Sequence, residues 1–112
     1  MKTIATAEAF HALLAKSAKS GTTVFVDFTA TWCGPCQQIA PTFKKLSKLY
    51  PTATFVKVDV DENEDVATEC RVSAMPTFKA FQGKAEVAEL CGADKKALRS
   101  MVEQLTASAA SA

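Results

Sequence analysis

Apolar residues recur every three or four positions in three segments, and this spacing predicts three long helices. The first is expected over residues 7–19, with Thr6 as its cap and Gly21 as its stop. The second is expected to begin at the pair of cysteines at 33 and 36 and to end at Pro51, and the third to follow Asp94. A shorter helix is expected between the second and the third, and a capping box of Asp61 and Glu64 would begin it. The pattern therefore predicts four helices.

Short runs of β-branched and aromatic residues between the helices predict strands. Residues 24–28 form a nearly continuous apolar run, which is typical of a central strand covered on both faces. Further strands are expected at 54–60, at 77–81 and 85–90 as an antiparallel hairpin, and near Ile4. This order predicts an α/β fold in which a mixed sheet has helices on both faces.

The length of 112 residues fits one domain that buries its own core. We expect that domain over residues 1–106, and we expect the small, polar residues 107–112 to fray. Hydrophobic residues make up 48% of the chain and charged residues 22%, which is the usage of an ordinary folded protein.

Charge and hydropathy narrow the choice of partners and compartment. The net charge is +1, and basic and acidic residues are interleaved along the sequence, so we expect neither nucleic acid nor a membrane as a partner. No segment is apolar enough to cross a membrane, and the start of the chain resembles neither a signal peptide nor a transit peptide. We therefore expect a cytoplasmic monomer that acts on other proteins.

Two cysteines separated by two residues are the strongest chemical signal in the sequence. Such a pair is either half of a zinc site or a redox-active dithiol, and zinc needs two further ligands. Cys70, Cys91 and His11 are the remaining candidates, and they form no second pair at ligand spacing. We therefore expect no metal, and we interpret Cys33 and Cys36 as a dithiol.

The position of Cys33 between a strand and a long helix gives this dithiol its chemistry. The free N–H groups and the macrodipole at the start of a helix favour the thiolate of Cys33, which is the attacking species. Pro35 suits the first helical turn, Gly34 leaves the approach open, and Cys36 lies one turn on as the resolving thiol. Trp32 would offer a flat apolar surface to an incoming protein chain. The alternative interpretation is that its ring packs in the core.

Asp27 is a carboxyl group inside the apolar run of the central strand. Burial without a partner would raise its pKa and make it a proton acceptor for Cys36. The alternative interpretations place Asp27 at an exposed end of the strand or in an ion pair with a lysine. Lys57 on the neighbouring strand is the first candidate for a cationic partner, and a solvated surface lysine is the competing interpretation.

The motif Trp32-Cys33-Gly34-Pro35-Cys36, with Asp27 before it and Met75-Pro76-Thr77 after it, resembles the thioredoxin family of the eukaryotic cytosolic type. The resemblance covers residues 4–105. It implies a five-stranded sheet flanked by four helices, with Pro76 in the cis form. It also implies a protein-disulfide reductase, because oxidising relatives carry Gly-His or Pro-His between the cysteines.

The same resemblance assigns roles to individual residues. Cys33 becomes the nucleophile, Cys36 the resolving thiol and Asp27 the acid-base group. The substrate-docking surface would consist of Trp32, Val60, Ala74, Met75, Pro76 and Gly92.

The resemblance also implies how the dithiol is supplied with electrons and where they go. It implies no bound cofactor, since NADPH acts only through a separate flavoprotein, thioredoxin reductase. The implied clients are peroxiredoxins, ribonucleotide reductase and methionine sulfoxide reductases.

Cys70 and Cys91 lie outside the dithiol. The simplest interpretation is two small residues without a redox role. Cys91 and Cys70 are also candidates for regulation, Cys91 first, because the resemblance places it beside the docking surface. Animal relatives often carry a cysteine where this chain has Ala74, so an intermolecular disulfide through that position is excluded here.

Two rival functions remain for a chain with this sequence. One is a thioredoxin-like scaffold without catalysis, against which the intact Cys33 and Cys36 argue. The other is an isomerase of the secretory pathway, which is opposed by the start of the chain and by Gly34 and Pro35.

Overall fold

The computed structural model describes residues 1–111, and the side chains of residues 1–107. Its elements follow one another in the order that the sequence predicts, and most bounds differ from the prediction by one or two residues. They are β1 Lys2–Thr3, α1 Ala7–Ser20, β2 Thr23–Thr29, α2 Gly34–Leu49, β3 Thr54–Asp59, α3 Glu64–Glu69, β4 Thr77–Gln82, β5 Ala85–Cys91 and α4 Lys95–Ser111.

The five strands form one mixed sheet in the order β1-β3-β2-β4-β5. Strand β3 runs parallel to both β1 and β2, whereas β4 is antiparallel to β2 and to β5. The apolar run therefore lies in the central strand, as predicted. Parallel neighbours require crossover helices, and those helices cover both faces of the sheet.

Two apolar clusters fill the space between the sheet and its helices. One lies under α1 and α3 and includes Phe10 and Val66. The other lies under α2 and α4, where the ring of Phe43 is 5.3 Å from that of Phe55 and 5.5 Å from that of Phe78, between centroids. This packing fixes α2 on the sheet, so its N-terminus lies just beyond the end of β2.

Local signals define both ends of α1. The hydroxyl of Thr6 accepts a hydrogen bond from the backbone N–H of Ala9 at 3.1 Å, and Gly21 ends the helix with a φ of 73°. A left-handed residue at this point favours glycine, which has no Cβ to clash. The predicted cap and stop of this helix are confirmed.

The predicted capping box of α3 is wrong. Asn63 is the N-cap residue of this helix, and its side chain makes no capping hydrogen bond. The reason is a turn after β3, in which the carboxylate of Asp59 accepts from the backbone N–H groups of Asp61 and Glu62 at 2.9 and 3.3 Å. This turn delays the start of the helix to Glu64.

The last helix is longer than the sequence suggests. Its first turn is capped by Asp94, whose carboxylate accepts from the N–H of Ala97 at 3.0 Å. The helix runs to Ser111, through most of the segment 107–112. The fraying of that segment stays a prediction, and Ala112 lies outside the described residues. No helix in the described part of the chain has the length and apolar character needed to span a membrane.

Candidate active site

Cys33 and Cys36 are joined by a disulfide bond at the start of α2. Their Cα atoms are 5.2 Å apart, inside the range of about 4.4–6.8 Å that a disulfide allows. Both side chains are buried among apolar neighbours, together with Ala30, and Val60 and Met75 pack against them. The predicted pairing therefore exists, and the site is closed to water on its inner side.

The N-terminus of α2 is directed at Cys33. This residue is the N-cap of the helix, and its Sγ accepts a hydrogen bond from the backbone N–H of Cys36 at 3.2 Å. Pro35 occupies the first turn, where its missing N–H has no cost. After reduction, the same N–H group and the helix dipole favour a thiolate at Cys33 over a neutral thiol.

Asp27 lies in β2 and is only 2% exposed. It is two residues from Phe25, which packs in the cluster under α2, so its side chain faces the same helix. Its Oδ1 has no hydrogen-bond partner among the described residues. Burial raises the pKa of Asp27 from 3.8 to about 7, although the positive charge of Lys57 opposes this rise.

Lys57 is the partner of Asp27 in the register of the parallel strands β2 and β3, and it is half-buried. The two residues form no ion pair within the described part of the chain. Neither an exposed strand end nor an ion pair with a lysine therefore explains Asp27. The carboxyl group is buried and can be neutral or charged near neutral pH.

Trp32 extends into solvent beside the disulfide and is 67% exposed. Its indole N–H donates to the carboxylate of Asp61 at 2.7 Å, which holds the ring in one orientation. Sequence reasoning missed this role of Asp61. One signal could have found it: both residues closely follow the carboxyl ends of adjacent parallel strands, and such ends meet at one edge of a sheet.

A second segment approaches the disulfide from the start of β4. The peptide bond between Met75 and Pro76 is cis, as predicted. The hydroxyl of Thr77 donates to the carbonyl of Ala74 at 2.6 Å, and the N–H of Gly92 donates to the carbonyl of Pro76 at 2.9 Å. Gly92 has a φ of 99°, a backbone conformation that L side chains rarely adopt.

The predicted docking residues differ in how close they come to the disulfide. Val60 and Met75 pack against the disulfide cluster, and the backbone of Gly92 is bonded to Pro76. Ala74 is exposed and Met75 is half-buried. A surface with an open tryptophan at one side and a partly apolar segment at the other fits an extended protein chain.

The two remaining cysteines have opposite environments. Cys70 is buried, and burial, followed by the nearby charge of Glu69, raises the pKa of its thiol to about 11. Cys91 is exposed at the end of β5, where it is the register partner of Thr77. Its Sγ lies 3.8 Å from the hydroxyl of Thr77, so it borders the segment that carries Pro76.

Within the described residues, no three side chains of His, Cys, Asp or Glu lie close enough together to hold a metal ion. A disulfide at a helix N-terminus, preceded by a strand that holds a buried carboxyl group, on a mixed sheet with helices on both faces is the architecture of a thiol–disulfide oxidoreductase. The fold and the site therefore define the class of protein.

Comparison with known proteins identifies the family. A family model described as thioredoxin matches residues 2–104. Sheep (Ovis aries) thioredoxin is 49% identical over 82 residues, which are 73% of this chain and 78% of that protein. The H-type thioredoxin of rice (Oryza sativa subsp. indica) is 46% identical over 104 residues, or 92% and 85%.

The solved structures give the same result. The X-ray structure of Fasciola hepatica thioredoxin matches with a TM-score of 0.88 and 40% identity, over 93% of this chain and 98% of that one. The chain belongs to the thioredoxin family and is a protein-disulfide oxidoreductase. The predicted resemblance to eukaryotic thioredoxins and the predicted five-stranded, four-helix fold are confirmed.

Proposed function

We propose that this protein is a general reductant of protein disulfides that acts as a monomer in the cytoplasm. Thioredoxin reductase would supply its electrons from NADPH. Peroxiredoxins, ribonucleotide reductase and methionine sulfoxide reductases would receive them. The observation that carries the proposal is the disulfide of Cys33 and Cys36 at a helix N-terminus, together with the buried, unpaired Asp27 in the strand before it.

In the first step, the thiolate of Cys33 attacks one sulfur of a client disulfide. A bond forms between Cys33 and that sulfur, the client disulfide breaks, and the other client sulfur leaves as a thiolate. The N–H of Cys36 supports Cys33 as the attacking residue, because it is directed at the Sγ of Cys33. Trp32, Ala74 and Met75 would hold the client during this step.

In the second step, Cys36 attacks the Sγ of Cys33 and releases the second client thiolate. The disulfide of the protein re-forms, and two electrons have passed to the client. Cys36 must first lose its proton, and it is 2% exposed, so water has little access to it. Asp27 would accept this proton, so the negative charge would move from its carboxylate to the thiolate of Cys36. The positive charge of Lys57 would stabilise this change.

The residues between the cysteines favour a reductant over an oxidant. A strong oxidant needs groups that stabilise its reduced, thiolate form. Gly34 and Pro35 carry neither charge nor a side-chain donor, so they add no such stabilisation. The N–H of Cys36 and the helix dipole then provide a moderate preference for the thiolate, as a reductant requires.

The proposed function predicts rapid reduction of insulin. With dithiothreitol as the donor, the protein should accelerate the precipitation of insulin B chains far above the rate with dithiothreitol alone. NADPH and thioredoxin reductase should replace dithiothreitol. A Cys91→Ser variant serves as the control that should keep this activity. A rate equal to that of dithiothreitol alone would instead make the protein a non-catalytic scaffold.

Cys91 is expected to be oxidised before Cys70. The thiol of Cys91 is exposed, whereas Cys70 is buried and has a pKa of about 11, so its reactive thiolate is scarce at neutral pH. Treatment with graded oxidised glutathione, followed by mass spectrometry of peptides, should show the adduct on Cys91 first. Because Cys91 borders the Pro76 segment, the adduct should also slow insulin reduction. A modified Cys70 with an unmodified Cys91 contradicts the prediction.

A further inference from the structure

A groove with a volume of about 880 Å³ lies at the sheet edge formed by β1 and β3. Its walls come from α1 on one face of the sheet and from the second half of α2 on the other. Strand β1 pairs only with Val56 and Lys57 of β3. The start of β3, at Thr54 and Phe55, pairs with β2 on its inner side but not with β1 on its outer side, and it lines the groove.

The charge along this groove has one sign. Lysines from four different elements line it, and no Asp or Glu does: Lys2, Lys16, Lys44, Lys48 and Lys57. The chain as a whole has nearly balanced charge, with 13 basic and 12 acidic residues. Folding thus concentrates positive charge that the sequence distributes evenly.

None of these lysines forms an ion pair within the described part of the chain. The buried Lys79 is the contrast, because its Nζ lies 2.7 Å from the carboxylates of both Glu86 and Glu89. Lys44 and Lys48 are four residues apart on α2, a spacing at which like charges repel and weaken a helix slightly. A bound anionic partner would relieve this repulsion.

The groove also contains apolar side chains, which distinguish between anionic partners. Met1, Leu13, Pro51 and Ala53 line it beside the lysines, and each is at least partly exposed. A phosphate site would be expected to use arginine forks or converging backbone N–H groups, and no arginine lines the groove. A protein segment that contains both carboxylates and apolar side chains fits this lining, because the carboxylates can contact the lysines and the apolar side chains can contact the exposed apolar residues.

We propose that this groove binds an acidic, partly apolar segment of a partner protein. The site goes beyond the proposed reductase function, because it extends from Lys57, the register partner of Asp27, to the second half of α2, away from the disulfide. Helix α2 separates the two: Lys48 is roughly 20 Å from Cys33 at 1.5 Å per residue. A partner bound in the groove therefore leaves Trp32 and the disulfide open to a client.

The test uses two double variants with the same change in charge. Lys16→Glu with Lys44→Glu reverses one groove lysine on each helix. Lys19→Glu with Lys45→Glu reverses one exposed lysine on each helix outside the groove. The probe is a short fluorescein-labelled peptide in which Glu alternates with Leu, and its binding to the oxidised protein is measured by fluorescence anisotropy.

The groove variant should lose about tenfold or more in affinity for this peptide, and the control variant should lose less than about twofold. Binding should weaken as salt is raised. Both variants should reduce insulin at the rate of the unchanged protein. Peptide binding is measured without catalysis. A protein that fails to bind the peptide can therefore still be a reductase, and a protein that fails to reduce insulin can still bind the peptide.

Several results would overturn the proposal. One is an equal loss of affinity in the two variants, which would indicate unspecific charge attraction. Another is equal binding of a peptide with Ser in place of Leu, or of tripolyphosphate, because the exposed apolar residues of the groove would then make no contribution to binding. Stronger binding to phosphatidylserine vesicles or to duplex DNA, or dimerisation that the groove variant abolishes in sedimentation, would assign the groove to a different partner.

Discussion

Cys33→Ser should reduce insulin no faster than the background rate, whereas Cys36→Ser should form the mixed disulfide through Cys33 and remain attached to its clients. Serine cannot form the mixed disulfide, so removal of the Cys33 thiol abolishes the first step. Without the Cys36 thiol, the first step proceeds and nothing releases the client. The difference in behaviour follows from the position of Cys33 as the N-cap of α2, with its Sγ bonded to the N–H of Cys36.

The measurement is a trapping experiment in cell extract. Immobilised Cys36→Ser protein should retain clients that dithiothreitol releases, and immobilised Cys33→Ser protein should retain none. Cys91→Ser in the Cys36→Ser background is the matched control, because adducts through the exposed Cys91 would otherwise be counted as clients. Equal amounts of adduct on the two single variants would mean that the roles of the cysteines have been assigned wrongly.

Asp27→Ala should make the protein more stable and a slower reductant. Burial raises the pKa of Asp27 from 3.8 to about 7, which corresponds to ~4 kcal/mol of cost to the folded state once the carboxyl group is ionised. The alanine removes this cost, although the vacated volume returns part of the gain, about 1–2 kcal/mol. We therefore expect a net gain of about 2–3 kcal/mol in the free energy of unfolding at pH 8.

The gain should depend on pH in a definite direction. The folded pKa of Asp27 lies above its unfolded value, so the folded protein binds the additional proton between these values. Its stability then falls as the pH rises from about 4 to about 7 and stays level above that range. Denaturant unfolding should show the gain of Asp27→Ala growing over this interval and becoming a loss of about 1–2 kcal/mol below it, where only the cost of the vacated volume remains.

The rate should fall because Cys36 loses its proton acceptor, a role worth ~10²-fold or more. Rapid-mixing kinetics should show that release of the mixed disulfide slows more than the initial attack by Cys33. Asp27→Asn separates the two effects, because it keeps the side-chain volume and still cannot accept the proton. A variant at position 27 that is less stable at pH 8 and fully active would refute the proposed role of Asp27.

The sequence alone predicted most of the fold and the centre of the site. The caps of α1, the apolar run of β2 and the hairpin depend on residues close together in the chain, so local patterns indicated them correctly. The pairing of Cys33 with Cys36 is equally local, because one helical turn separates them. Asp27 stood out because a carboxyl group contradicts the apolar pattern around it.

Only the tertiary structure decided the features that join distant segments. The sequence predicted Asp61 as a helix cap. In the structure it accepts a hydrogen bond from Trp32, 29 residues earlier, because β2 and β3 lie side by side. Exposure separated Cys91 from Cys70, although both follow stretches that mix glutamates with apolar residues.

The groove lined by lysines is the largest feature that only the tertiary structure decided. Its lysines belong to four elements that meet only when the parallel crossovers close, so no window of sequence contains the charge that they build together. A sequence pattern shows which side chains lie on the same face of a single helix or strand. The electrostatic character of a surface depends on which elements the sheet order brings together, and that order is set by packing across the whole domain.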